Sequence, residues 1–250
     1  MKGENYLRKK VGLGMKIILV LVSLAVLLLL ISNSKNLFHK NKGKQENRFS
    51  SEVAPFVETE EETYTFDGSD VLSLVSVCSD VDIKQEKRTD ISVEIVKQVG
   101  DKQETGLKQE LKKIVCSMTN GILEIGYTGG QRPAVNSVYI KAVIKIPDTI
   151  QEIKCDCQTG NLNARGVYRK IMANSNTGDV NLVLKEVKNS DVIQIDGKIG
   201  DVKISLPANC EINLDGSQKE EVRLGKGISI SEHGLAILIN KEISNIKIGS

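Results

Sequence analysis

The chain has 250 residues, with 34 Lys and Arg set against 32 Asp and Glu for a net charge of +2, a balance that excludes the broad basic footprint of a nucleic-acid binder. Aromatic residues make up 4% and Trp is absent, which argues against the stacking platforms of a carbohydrate cleft or a single-stranded nucleic-acid groove. Five cysteines, an odd number, do not read as a disulfide framework.

Residues 1–10 form a basic tail, and residues 11–31 are apolar apart from Lys16 and a few small residues, with no charge at all over 17–31. As a helix such a run spans roughly 30 Å, about the thickness of a bilayer core. Lys16 lies near one end, where its stem can carry the ammonium to the headgroups. The spacing predicts a single transmembrane helix over 11–31. A cleaved signal peptide is the rival, with Ser32 and Ser34 as small residues at a cleavage site. The length of the apolar run and the lack of an A-x-A end favour an uncleaved signal anchor, and no Cys follows closely enough for a lipoprotein anchor. Lys2, Arg8, Lys9, Lys10 and Lys16 precede the span, while Lys35, Lys40, Lys42, Lys44 and Arg48 follow it, so the count of positive charges is tied. The upstream set is nearer the span. The expectation is a cytoplasmic tail and an extracytoplasmic body at the plasma membrane.

Residues 32–63 carry a basic block and then an acidic block, with neither hydrophobic period, and read as a polar linker. Its basic block could meet anionic headgroups. The folded body is expected over 64–250. ISVEIVKQV (91–99) and SVYIKAVIKI (137–146) alternate as strands, the second stopped by Pro147. DKQETGLKQELKKI (101–114) is a short helix or a charged loop. Asn120-Gly121 between two apolar runs signals a hairpin.

The body is organised around a repeat. IKCDCQTGNLNA (153–164), IMANSNTGDVNL (171–182) and IQIDGKIGDVKI (193–204) align on Gly160, Gly178 and Gly200, and LSLVSVCSDVDI (72–83) fits with Ser79 in the glycine slot. Apolar residues recur seven before the slot and two and four after it. That pattern is two short strands, each with one buried face, joined at a corner. Gly takes a corner at positive φ without steric cost, and the Asx residue after it (Asn161, Asp179, Asp201, or Asp80 in the first unit) can bond neighbouring backbone N–H groups. One unit cannot bury its inner face alone, so units must stack. The predicted fold is all-β: a short right-handed β-solenoid or β-helix-like domain behind the single N-terminal helix. Gly160, Gly178, Gly200, Asn161, Asp179 and Asp201 are its structural repeat turns, and the remaining segments from Ile212 onward cap the stack.

VYIKAVIKIPDTIQEIKCDCQTGNLNA, MANSNTGDVNLVL and GKIGDVKISLP together resemble the "putative adhesin" family with DUF4097-type β-strand repeats, over roughly residues 64–250. The resemblance implies a right-handed β-helix-like domain, often behind one membrane anchor in Gram-positive bacteria, with some members accessory to envelope-stress operons. It carries over no catalytic residue. The chain departs from the pattern at Ile199, which replaces Thr before Gly200, and at Ser79.

Cys155 and Cys157 both fall on the inner face, in the ladders of Ala173 and Ser175, where free thiols serve as small core residues. Neither His39 nor His233 has the spacing to complete a metal site with them. Stacked Asp80, Asn161, Asp179 and Asp201 invite a calcium ladder, but turn chemistry explains the same residues. There is no G-x-S-x-G, H-E-x-x-H or phosphate loop, so no enzyme, cofactor or metal is expected. The leading reading is a membrane-anchored envelope protein whose outward polar face recognises a cell-wall polymer, lipid headgroups or an envelope membrane protein, as an adhesin does. The alternatives are an accessory regulator of an envelope-stress response and a polysaccharide-active β-helix enzyme.

Overall fold

The computed structural model describes residues 48, 50, 52–217 and 221–250. The basic tail and the transmembrane helix expected over 1–31 lie outside the described residues, as does the linker up to residue 47. Among the described residues no helix is long and apolar enough to cross a membrane.

The body opens with β1 (Phe56–Asp67), β2 (Val71–Ser76), β3 (Asp80–Glu86) and β4 (Asp90–Asp101). The one-turn helix α1 (Leu107–Leu111), β5 (Ile114–Thr119), β6 (Ile122–Tyr127) and β7 (Ser137–Pro147) follow. Each repeat unit is then a pair of strands about a corner: β8 (Glu152–Thr159) with β9 (Leu162–Gly166), β10 (Lys170–Thr177) with β11 (Val180–Leu184), and β12 (Val192–Ile199) with β13 (Val202–Ser205). The chain closes with β14 (Cys210–Asp215), β15 (Val222–Leu224), β16 (Ile228–Ile230), β17 (Leu235–Ile243) and β18 (Ile246–Gly249).

Among the described residues the fold is all-β, built on two nine-stranded mixed sheets with the orders β1-β4-β7-β3-β9-β11-β13-β18-β15 and β16-β14-β17-β12-β10-β8-β2-β6-β5. The repeat explains the middle of both. First strands of successive units pair parallel and in register in one sheet, second strands in the other, so equivalent residues become neighbours. Leu72, Ile153, Ile171, Ile193 and Ile237 form one inner row, and Val81, Leu162, Val180, Val202 and Ile246 another. All ten are buried. At about 25 cal/mol per Å², full burial of each such side chain contributes roughly 1.5–3 kcal/mol. Cys155 lies beside Ala173, and Cys157 beside Ser175.

One end of each sheet is antiparallel, while the other, β15 on β18 and β16 on β14, is parallel. β4 pairs with β1 and β7, and β5 with β6 about Asn120 and Gly121, whose φ values of 53° and 76° make the tight hairpin that an Asn-Gly pair favours. Two boundaries differ from the sequence expectation. Residues 56–63, assigned to the linker, belong to β1, because Glu60 lies opposite the buried Lys97 and both Glu60 and Glu62 form ion pairs with it. Those carboxylates neutralise an inward-pointing cation rather than sitting in a solvated tether. Inward charges on an edge strand also discourage edge-to-edge pairing. Of 101–114, read as a short helix or a charged loop, only α1 is helical; Asp101 still belongs to β4, and within α1 only Leu107 and Leu111 are buried.

Candidate recognition face

The corners stack as closely as the strands. Ser79 N–H donates to Thr159 O at 3.0 Å, Gly160 N–H to Thr177 O at 2.9 Å, Gly178 N–H to Ile199 O at 2.9 Å, and Gly200 N–H to Ile243 O at 3.1 Å. Three corner positions require glycine. A Cβ on Gly160, Gly178 or Gly200 would stand 2.1 Å from the carbonyl oxygen of the preceding corner, and their φ values of 116°, 142° and 130° disfavour any side chain.

The residue after each slot ties one rung to the next. Asn161 N–H donates to Asp80 Oδ1 at 2.9 Å, Asp179 N–H to Asn161 Oδ1 at 2.9 Å, and Asp201 N–H to Asp179 Oδ1 at 2.8 Å. Asn245 N–H and Nδ2 both donate to Asp201 Oδ1, at 3.0 and 2.9 Å. These bonds hold the Asp201 carboxyl below its ordinary pKa, the Asn245 backbone N–H contributing most. The predicted turn residues Gly160, Gly178, Gly200, Asn161, Asp179 and Asp201 therefore all sit in this corner. Each Asx side chain accepts a backbone N–H, which is why a short amide or carboxylate recurs there.

Sequence reasoning missed a fifth unit. Ser244 occupies the slot, with Ile237 seven residues before it and Ile246 and Ile248 two and four after, the frame of the other units. The signal was present but carried Ser-Asn in place of Gly-Asp. Ser79 and Ser244 are both absent from the positive-φ positions, so the end rungs turn without the glycine conformation.

Outward from the corner ladder runs a second row. Register places Asp82, Asn163, Asn181, Lys203, Lys247 and Arg223 on adjacent strands of one sheet. Asn163 Nδ2 donates to Asp82 Oδ1 at 2.8 Å, and Asn181 Oδ1 is buried without a partner. An open groove of about 390 Å³ lies between the two rows, lined by Asn163, Asp179, Asn181, Asp201, Lys203 and Asn245 among others. The opposite sheet carries its own polar row, in which Asn174 Nδ2 donates to Asp156 Oδ1 at 3.1 Å and Asn240 Nδ2 to Asp196 Oδ1 at 3.0 Å.

Among the described residues no three His, Cys, Asp or Glu side chains converge on an ion position, and His233 is exposed in a turn. Burial pushes the Cys116 and Cys157 thiols up to about 12 and that of Cys155 well above its ordinary value, so these three are poor nucleophiles.

No family model matches the chain, and no curated protein does. Among solved structures it is similar to a "putative cell adhesion protein" from Clostridium sporogenes, with a TM-score of 0.52 and 17% identity over 77% of this chain and 99% of that one. It is also matched by a "putative lipid binding protein" from Parabacteroides distasonis (TM-score 0.32, 16% identity, 76% of this chain, 98% of that one). A "putative adhesin" from Bacteroides fragilis matches too (TM-score 0.31, 13% identity, 76% and 97%). The last two likenesses are too remote to carry an argument. The first shows a shared fold: this chain has the all-β architecture of the clostridial protein.

Proposed function

We propose that the chain is a non-enzymatic envelope protein that displays a short right-handed β-solenoid on the outer side of a bacterial plasma membrane, held by a signal anchor over 11–31. The body serves recognition of cell-envelope material, as an adhesin does. The observation that carries this reading is the outward row Asp82–Asn163–Asn181–Lys203–Lys247–Arg223, held in register on adjacent strands beside a hydrogen-bonded corner. A repetitive, hydrogen-bonding, flat surface suits a repetitive ligand better than a single small molecule, which is held in a deep, enclosed pocket. The resemblance of the T-G-D-V units to adhesin-like repeats and the fold shared with the clostridial protein support the same reading. The test is co-sedimentation of the full chain with purified cell wall. Binding that is weakened by Asn163→Ala together with Asn181→Ala supports recognition through this face. Turnover of a polysaccharide panel, abolished by one carboxylate substitution, contradicts the non-enzymatic reading.

A further inference from the structure

We propose that Lys203, Lys247 and Arg223 form a cationic track that binds a linear polyanion, a chain of phosphodiester-type groups laid across the strands; this names the ligand class for the recognition face and rests on that reading.

Three exposed cations stand side by side on adjacent strands, Lys203 opposite Lys247 and Lys247 opposite Arg223. Strands lie about 4.8 Å apart, so the track is roughly 10 Å long at its base, the scale of two or three successive charges on a polymer. Like charges placed directly opposite one another destabilise a sheet. Several cations elsewhere on the body are answered, Lys145 by Glu94, Lys154 and Lys170 by Glu152, and Arg169 by Glu186 and Asp191, whereas Lys84 and Arg165, opposite one another on β3 and β9, form no ion pair among the described residues. Among the described residues none of the three track cations lies within ion-pair distance of a carboxylate. A row of cations with no ion-paired carboxylate carries the positive potential that holding a polyanion needs, although Asp201 is near enough to interact with Lys247.

The ground beside the track is bare. Two residues further along the same strands lie Ser205 and Gly249, and Gly225 packs against Gly249. This leaves an open trough of about 240 Å³ lined by Ser205, Gly225, Gly249 and the exposed Leu224, with Lys203, Lys247 and Arg223 as its wall. On the other side of the track stand Asp201 and Asn245, where a carboxylate repels an anion. A linear chain lying in the trough meets the cations and avoids Asp179 and Asp201. A planar membrane surface pressed on this face meets the acidic corner as well. Charge complementarity therefore favours a polymer over a bilayer. The row's own composition sets the limit of the track, since Asn181, Asn163 and Asp82 replace cations toward the first rungs.

The experiment uses the full chain in detergent with three probes: long-chain polyphosphate, orthophosphate and phosphatidylglycerol vesicles. Polyphosphate is expected to bind, with affinity falling steeply as NaCl is raised, while orthophosphate, which bridges too few cations, does not compete at equal phosphate. The K203Q/K247Q/R223Q variant is expected to lose at least tenfold in affinity while melting no lower than wild type, because neutral side chains remove the like-charge contacts. K87Q/K102Q/K112Q, with the same change in net charge at exposed sites elsewhere, is expected to bind as wild type does. Equal loss in both triple variants, or capture by the vesicles that depends on the track while polyphosphate is ignored, overturns the proposal. If polyphosphate fails but cell-wall co-sedimentation persists, the polyanion assignment falls and recognition stands. If co-sedimentation is absent too, both fall.

Discussion

Lys241 Nζ donates to the carbonyl oxygen of Gly178, 2.9 Å away, reaching past a rung that has no side chain at the same inner position. Register aligns Ser175, Gly197 and Lys241, and all that separates the ammonium from the Gly178 corner is the bare Cα of Gly197. Lys241 also reaches Ile199 O at 3.4 Å, while Ser175 Oγ donates to Gly178 O at 3.0 Å. One glycine thus makes room for a fully buried lysine that secures the corner from inside. A Cβ on Gly197 would stand 1.8 Å from Ser175 O and 3.2 Å from Lys241 Cε. Gly197→Ala is expected to cost about 3 kcal/mol or more, because backbone has to move. Lys241→Met keeps the volume and leaves Gly178 O its Ser175 donor, so it is expected to change stability by less than about 2 kcal/mol. Urea titration of both variants checks the contrast.

The same lysine has a pH signature. Burial lowers its pKa, and the nearby Asp179 and Asp201 oppose that shift without cancelling it. The unfolded chain therefore holds this proton more tightly than the folded one, and stability rises with pH between the folded pKa and the unfolded value of about 10.4. Relative to Lys241→Met, the wild-type protein is expected to gain stability as pH is raised toward 10. A parallel pH dependence in the two proteins contradicts the assignment.

Acid acts on the corner in the opposite sense. The folded pKa of Asp201 is depressed by its bonds from Asn245, so its contribution is present above the unfolded value of about 3.9 and lost as pH falls through the folded one. Asp201→Asn keeps an acceptor oxygen and removes the proton linkage. The variant is expected to show a flatter loss of denaturation midpoint below about pH 4 than wild type.

The inner rows give the largest effects. Ile171 and Ile193 are register neighbours, 1% and 2% exposed. Ile171→Asp or Ile193→Asp places an unpaired carboxyl among apolar side chains and is expected to cost several kcal/mol. Thermal melting at neutral pH decides it: variants that melt with wild type contradict the inward assignment.

The thiols separate by burial. Cys116, Cys155 and Cys157 are buried, while Cys78 and Cys210 are half-buried. A neutral thiol-reactive chromophore is expected to label Cys155 and Cys157 only after unfolding, and Cys78 or Cys210 first. Peptide mapping of the native labelled protein gives the order.

What was legible in the sequence was local. Strand alternation, the glycine corner and the Asn120-Gly121 hairpin need only residues a few positions apart, and each is where the periodicity places it. The contacts that depend on distant partners were not legible. β14 inserts between β16 and β17, pairing Ile212 with both Ile230 and Leu235, and no short-range pattern encodes that order. The acidic run of β1 looked like a tether because its answering cation, Lys97, lies far along the chain. Gly197 has no local reason to be glycine; its reason is Lys241, on the neighbouring strand. The corner itself was visible as Gly-Asx, but its continuation through Ser244 and Asn245 was hidden by two substitutions, although the apolar frame around them is intact. The cationic track was hidden for a different reason: Lys203, Lys247 and Arg223 are separated by a strand order that brings β18 between β13 and β15.

The central claim is that this body stands on the outer side of the plasma membrane and meets the envelope there. Protease digestion of intact protoplasts, compared with lysed ones and probed with an antibody to the body, tests it most directly. The account predicts that residues of the body are cleaved in intact protoplasts while a cytoplasmic marker survives. Protection of the body until lysis would contradict it, because a face turned to the cytoplasm cannot recognise envelope polymer.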